Sequence, residues 1–110
     1  MSFDVSFRHL RPRDEIRERA QALYQKLDRF LDPASEAKLT VSVEHGEAVL
    51  ELVVHSRGET HKVTQEHADL RTALDKLFHT AEVQMRRAKE RRIAGRHDVP
   101  DDDGFENADA

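Results

Sequence analysis

Cysteine and tryptophan are absent from this 110-residue chain, tyrosine occurs once, and glycine and proline are sparse at four and three residues. Without cysteine there are no disulfides, thiolate zinc sites or thiol nucleophiles, a composition that fits a reducing, cytoplasmic setting. No segment approaches the about 20 consecutive apolar residues of a membrane-spanning helix, so no membrane partner is expected. Met1 to Leu10 interleaves Asp4, Arg8 and His9 with its apolar residues and lacks the unbroken core of a secretory signal. The glycines stand alone, which excludes a phosphate-cradling loop, a dinucleotide fingerprint and a nucleophile elbow. With no nucleophile set beside a base, the chain is read as a non-enzyme with no cofactor and no small-molecule substrate. Its length leaves room for one domain.

Charge, by contrast, is abundant, at 36% of residues and a formal −4. The total hides a segregation. The six acids from Asp98 to Ala110 have no Lys or Arg among them, so Met1 to His97 carries 18 bases against 16 acids. Arg8 to Arg29 holds seven bases and four acids, Gln84 to Arg96 six bases and one acid, and Phe30 to Val83 five bases and ten acids. Two separated basic segments favour a polyanion-binding surface, because clustered charge sets the local field more than net charge does.

Phe3, Val5 and Phe7 alternate with Asp4, Ser6 and Arg8, the period of a half-buried strand. Ile16, Ala20, Leu23, Leu27 and Phe30 recur at helical spacing after Pro12, which suits a first helical position; this predicts a first helix to about Leu31, broken by Asp32-Pro33. Two alternating hairpins follow, with two-residue turns at His45-Gly46 and Arg57-Gly58. That register sets Val43 opposite Ala48, Val41 opposite Leu50, Leu52 opposite Val63 and Val54 opposite His61. One sheet face is then apolar, while Thr40, Ser42, Glu51, His55, Lys62 and Thr64 make the other wet.

A second stripe, Leu70, Leu74, Leu77, Ala81, Met85 and Ala88, predicts a helix reaching Ile93. It would span roughly 36 Å and overhang the sheet. The expected fold is α+β, in the order β-α-β-β-β-α, with a four-stranded mixed sheet and two helices packed on one face. The domain spans 1–96; residues 97–110 form an acidic tail whose composition predicts disorder.

Seven histidines invite a metal reading, but none pair at the helical spacing of a zincin, and His55 and His61 fall on opposite sheet faces in this register. Glu66, His67 and Asp69 suit the start of the second helix better than acid–base chemistry. The run Arg86-Arg87-Ala88-Lys89-Glu90-Arg91-Arg92 carries the strongest nucleic-acid signal, arginine being suited to bidentate phosphate contact. The same run also fits a solvated helix end whose cations complement the helix dipole. Arg8, Arg11, Arg13, Arg17, Lys26 and Arg29 add charge, interleaved with Glu15 and Glu18 as in a salt-bridged face. No exposed aromatic pair offers a base-stacking platform, so recognition would be of backbone and shape.

From Ser2 to about Arg92 the sequence resembles the bacterial ribosome hibernation factors, which include hibernation promoting factor and the ribosome-associated translation inhibitor and are also described as sigma-54 modulation proteins. The carriers are Phe3-Asp4-Val5-Ser6 with His9, Lys26-Leu27-Asp28-Arg29-Phe30, and Glu66-His67-Ala68-Asp69-Leu70 running into Ala73-Leu74-Asp75. The resemblance implies a cytoplasmic protein that binds the small ribosomal subunit and its 16S rRNA, blocks the messenger and transfer-RNA sites, and preserves idle ribosomes. By charge, Lys26, Arg29, Arg87, Lys89 and Arg91 match the family's rRNA-contacting positions, and Arg86 and Arg92 belong to the same cluster. Thr80 and Val83 stand where the family usually carries Lys or Arg, and Arg71 where an aromatic is common.

The chain ends without the second domain that long members use to pair ribosomes, so a short-form member is expected. Its acidic tail with Phe105 resembles the inhibitor branch, which favours silenced single ribosomes. A general double-stranded RNA module and a protein-binding regulator are the alternative functions.

Overall fold

The computed structural model describes residues 2–96, so the acidic tail lies outside the described residues. The elements are β1 (Ser2–Arg8), α1 (Asp14–Gln25), a 3-10 turn (Asp28–Phe30), β2 (Glu36–Glu44), β3 (Glu47–Ser56), β4 (Glu59–His67) and α2 (Leu70–Arg96). The strands form one sheet in the order β1-β2-β3-β4. β1 runs parallel to β2, and the other pairs are antiparallel.

Both hairpins have the expected register: Val43 opposes Ala48, Val41 opposes Leu50, Leu52 opposes Val63 and Val54 opposes His61. The physical reason is local. His45 and Gly46 have φ of 53° and 80°, Arg57 and Gly58 55° and 77°. Paired left-handed residues make the tight turn whose twist matches the flanking strands. With two-residue loops fixed at both ends, the period-2 side-chain pattern leaves one alignment that buries the apolar set.

The core lies between one sheet face and the two helices. It joins Val5, Ile16, Ala20, Leu39, Val41, Leu50, Leu52, Val54, Leu74, Leu77, Ala81 and Met85 in a single cluster. Phe3 stacks on Tyr24 at 4.3 Å and meets Phe78 edge-on at 6.4 Å, tying β1, α1 and α2 together. Burial pushes the Tyr24 phenol above its ordinary pKa. These rings are spent on packing.

Several details differ from the sequence expectation. α1 stops at Gln25 rather than near Leu31. The chain then tightens, with Phe30 N–H donating to the Leu27 carbonyl at 2.9 Å and Leu31 N–H to that of Asp28 at 3.1 Å. Leu27 and Phe30 are buried either way, because residues three apart share a face in both helix types. Pro12 precedes the helix, Arg13 being the N-cap in extended conformation. Val43 is on the apolar face but 39% exposed, beyond the cover of the helices. Ser42, expected on the wet face, is buried, its hydroxyl donating to the Val49 carbonyl at 3.2 Å.

α2 runs to Arg96, past the expected Ile93. Its buried positions end at Ala88, and Ile93 is 43% exposed. At ~1.5 Å per residue, about 22 Å of helix from Ala73 to Ala88 packs on the core and about 12 Å projects beyond it. Truncation of the fully buried Leu77 to Ala should cost about 2–5 kcal/mol through lost transfer energy and a cavity, read from the midpoint of urea unfolding.

Candidate nucleic-acid interface

The 3-10 turn brings the two basic segments together. Lys26 sits at the C-cap of α1, and the turn directs Phe30 inward and Arg29 outward against α2. Phe30 forms the floor: the Arg29 guanidinium lies 4.7 Å and the Lys89 ammonium 5.9 Å from its ring centroid, within cation–π range. Glu82 stands between the elements, its Oε2 accepting from Arg29 Nη2 at 3.1 Å and from Arg86 Nη2 at 3.0 Å. Lys26, Arg29 and Glu82 line one shallow depression with Gln25 and Asp28.

The remaining cations of α2 diverge. At about 100° per residue, Arg86 and Lys89 share the flank facing the turn, whereas Arg87 and Arg91 share the opposite flank. Arg92 returns to the line of Met85 and Ala88 where no core remains, and is only half-buried. The seven positions therefore form a cluster of Lys26, Arg29, Arg86 and Lys89, with Arg87, Arg91 and Arg92 around the projecting end. The length of α2 also bears on the helix-dipole account. That stabilisation falls off within the last turn, and with the helix reaching Arg96, Arg86, Arg87 and Lys89 lie too far back to benefit from it. Like charges four apart, as at Arg87 and Arg91, cost roughly 0.2–0.5 kcal/mol, which stability alone does not require.

Other cations of α1 have structural partners. Arg19 makes a two-bonded pair with Asp75, Nε to Oδ1 at 3.0 Å and Nη2 to Oδ2 at 2.9 Å, locking α1 to α2 and raising the Arg19 pKa. Arg17 donates to the Val5 carbonyl at 3.1 Å and lies over Phe7. Glu15 takes Arg13 and Arg71, and the Arg13 hydrogen bond above all holds its carboxyl below the usual range. The salt-bridged reading thus holds for Arg13, but not for Arg17, held by a backbone carbonyl and an aromatic ring, nor for Lys26, which lines the depression.

Sequence reasoning missed Phe30 and Glu82 as parts of the site. The spacing of Glu82 and Arg86 signals a helical ion pair; nothing local signals that Arg29 joins it, a contact made by tertiary packing.

The sheet's open face has the opposite character. Asp4, Glu36, Glu51 and His55 line a depression there with Arg8 and Lys38; Lys62 pairs with Glu51 at 3.0 Å, and Glu44, Glu47 and Glu66 extend the surface by register parity, leaving acids in excess. His55 and His61 do fall on opposite faces, since Thr60 opposes His55 and Val54 opposes His61. Among the described residues, no group of three or more His, Cys, Asp or Glu could hold a metal ion, and no helix is long and apolar enough to cross a membrane.

Fold and site together define the class: a small α+β domain whose distinctive surface is a cationic helical end rather than a cleft. The chain belongs to the sigma 54 modulation protein / S30EA ribosomal protein family, whose sequence model matches residues 3–93. This ribosome-associated family is the one that the segment from Glu66 to Asp75 resembles. The fold is similar to the Protein Y N-terminal domain of Thermus thermophilus, at 31% identity and TM-score 0.72, over 79% of this chain and 98% of that one. It is also similar to a ribosomal subunit interface protein from Coxiella burnetii, at 17% identity and TM-score 0.72, over 82% and 99%. No curated protein matches the chain.

The segment from Glu66 to Asp69 does cap α2, through Asp69. Its Oδ2 accepts from the Thr72 N–H at 2.9 Å and the Thr72 hydroxyl at 2.6 Å, and its own N–H donates to His67 Nδ1 at 2.9 Å. The Thr72 hydrogen bonds lower the Asp69 pKa. A carboxyl lowered on folding stabilises above its ordinary value of 3.8, and that contribution is lost as pH falls through the folded value. The melting temperature of Asp69→Ala should therefore lie below wild type at neutral pH, with the gap narrowing on acidification below that value.

Proposed function

We propose that this chain binds the small ribosomal subunit through 16S rRNA, occupies the messenger and transfer-RNA channel, and inhibits translation in idle, hibernating ribosomes under stress or in stationary phase. Lys26, Arg29, Arg86, Arg87, Lys89, Arg91 and Arg92 make the contacts. The observation that carries this reading is the convergence of Lys26 and Arg29 with Arg86 and Lys89 on an overhanging helix, in a chain of a ribosome-associated family. As a ribosome-binding protein it acts in the cytoplasm.

The mechanism needs no bond chemistry. Arginines contact phosphates, condensed counterions are released, and the folded body fills the channel by volume. Among the described residues the aromatic rings are packed into the core or under cations, so readout is of backbone and shape, not of stacked bases. The acidic sheet face repels phosphate, so charge orients the domain with its helices toward rRNA.

With about six phosphate contacts, affinity for vacant small subunits should fall on the order of 10³-fold over a fourfold rise in salt. Changing Arg87, Lys89 and Arg91 to Glu should abolish co-sedimentation with small subunits in sucrose gradients and restore translation in the same samples. Unchanged co-sedimentation would defeat the proposal. Equal affinity for free RNA duplexes and ribosomes would instead identify a general double-stranded RNA module.

A further inference from the structure

The acid–base pairing at the helical end differs from that at α1 and the start of α2, where Glu15 offers Arg13 and Arg71 a separate oxygen each. Arg19 and Asp75 satisfy each other, one guanidinium fork against one carboxylate. Glu82 is outnumbered. A single oxygen, Oε2, receives Nη2 of Arg29 and Nη2 of Arg86, while Lys89 stands over the same Phe30 ring as Arg29 and Lys26 lines the same depression. Asp28 is the other acid lining it. Two guanidinium donors from different elements, converging at about 3 Å on one anionic oxygen, are what a non-bridging phosphate oxygen requires. The site is also reachable, the Arg29, Arg86 and Glu82 side chains being 65%, 47% and 31% exposed.

We propose that Glu82 is an internal stand-in for an RNA phosphate: it preorganises Arg29 and Arg86 in the free protein and yields them to a phosphodiester of the bound RNA. This inference rests on the proposed rRNA binding and adds the carboxylate that governs it. Before binding, Glu82 holds the 3-10 turn against α2 and fixes two long side chains, so less conformational freedom is lost when the ligand arrives. It also screens the arginines, so a ligand gains them only by supplying an anion of its own at that position. On exchange, the released Glu82 carboxylate retains counterions, so fewer ions are released than the arginine contacts alone would give.

The test uses Glu82→Gln, which keeps an oxygen acceptor for the arginines and removes the charge. Glu90→Gln, on the exposed side of the same helix, makes the same change in net charge elsewhere. Affinity for vacant small subunits and for a short RNA duplex of unrelated sequence is measured across a salt series, with thermal melting to establish folding. E82Q should bind several-fold more tightly than E90Q at low salt. Its slope of log affinity against log salt should be steeper by up to about 0.9 per phosphate contact. In a chain carrying Arg29→Met and Arg86→Met, adding E82Q should bring no such gain.

Equal behaviour of E82Q and E90Q, weaker binding by E82Q, or a gain that persists without the two arginines would overturn the inference while leaving ribosome binding intact. Failure of the wild-type chain to bind small subunits would defeat the proposed function itself.

Discussion

The apolar stripe of α2 ends at Ala88 while its backbone continues to Arg96, and the character of the surface follows from that mismatch. Up to Ala88 the helix is held by burial against β3, β4 and α1. Past it there is no core to cover, so each side of the helix is free to carry charge. A projecting, arginine-rich helix would be marginal alone, because short isolated helices gain too little per residue to offset nucleation. It persists here as the continuation of a helix already fixed by packing. The capping of its start by Asp69 serves the same end.

The 3-10 turn is the second constraint. Had α1 continued to Leu31, Arg29 would have stayed on a regular helical face. The tighter winding keeps Leu27 and Phe30 in the core and places Arg29 over the Phe30 ring, in reach of Glu82. Apolar burial thus positions a charge, and the positioned charge joins two segments far apart in sequence. The excess acid of the chain's middle half appears largely on the open sheet face, away from this cluster. Charge separation along the sequence becomes charge separation in space because strand alternation sends every second residue to that face.

The fold was legible because its signals are local. Two-residue turns at His45-Gly46 and Arg57-Gly58 fixed both hairpin registers, and the spacing from Leu70 to Ala88 fixed the buried face of α2. Misjudged features were those settled by competition at element ends. The stop of α1 at Gln25 and the exposure of Val43 depend on how far a neighbouring element reaches, which no window of sequence contains. The site was half legible. Its cations were visible as a run from Arg86 to Arg92, but their division into a turn-facing and an opposite flank required the axis of α2 to be placed against α1.

The sequence by itself determined the element order, the strand pairing and the identity of the cationic residues, since turn geometry and side-chain periodicity are properties of neighbouring residues. Only the tertiary structure decided that Arg29 and Arg86 converge on Glu82 beside Phe30, and that Arg17 and Arg19 serve instead to hold α1 in place. Which charge meets which depends on the packing of two helices on one sheet face, a relation between residues more than 50 positions apart.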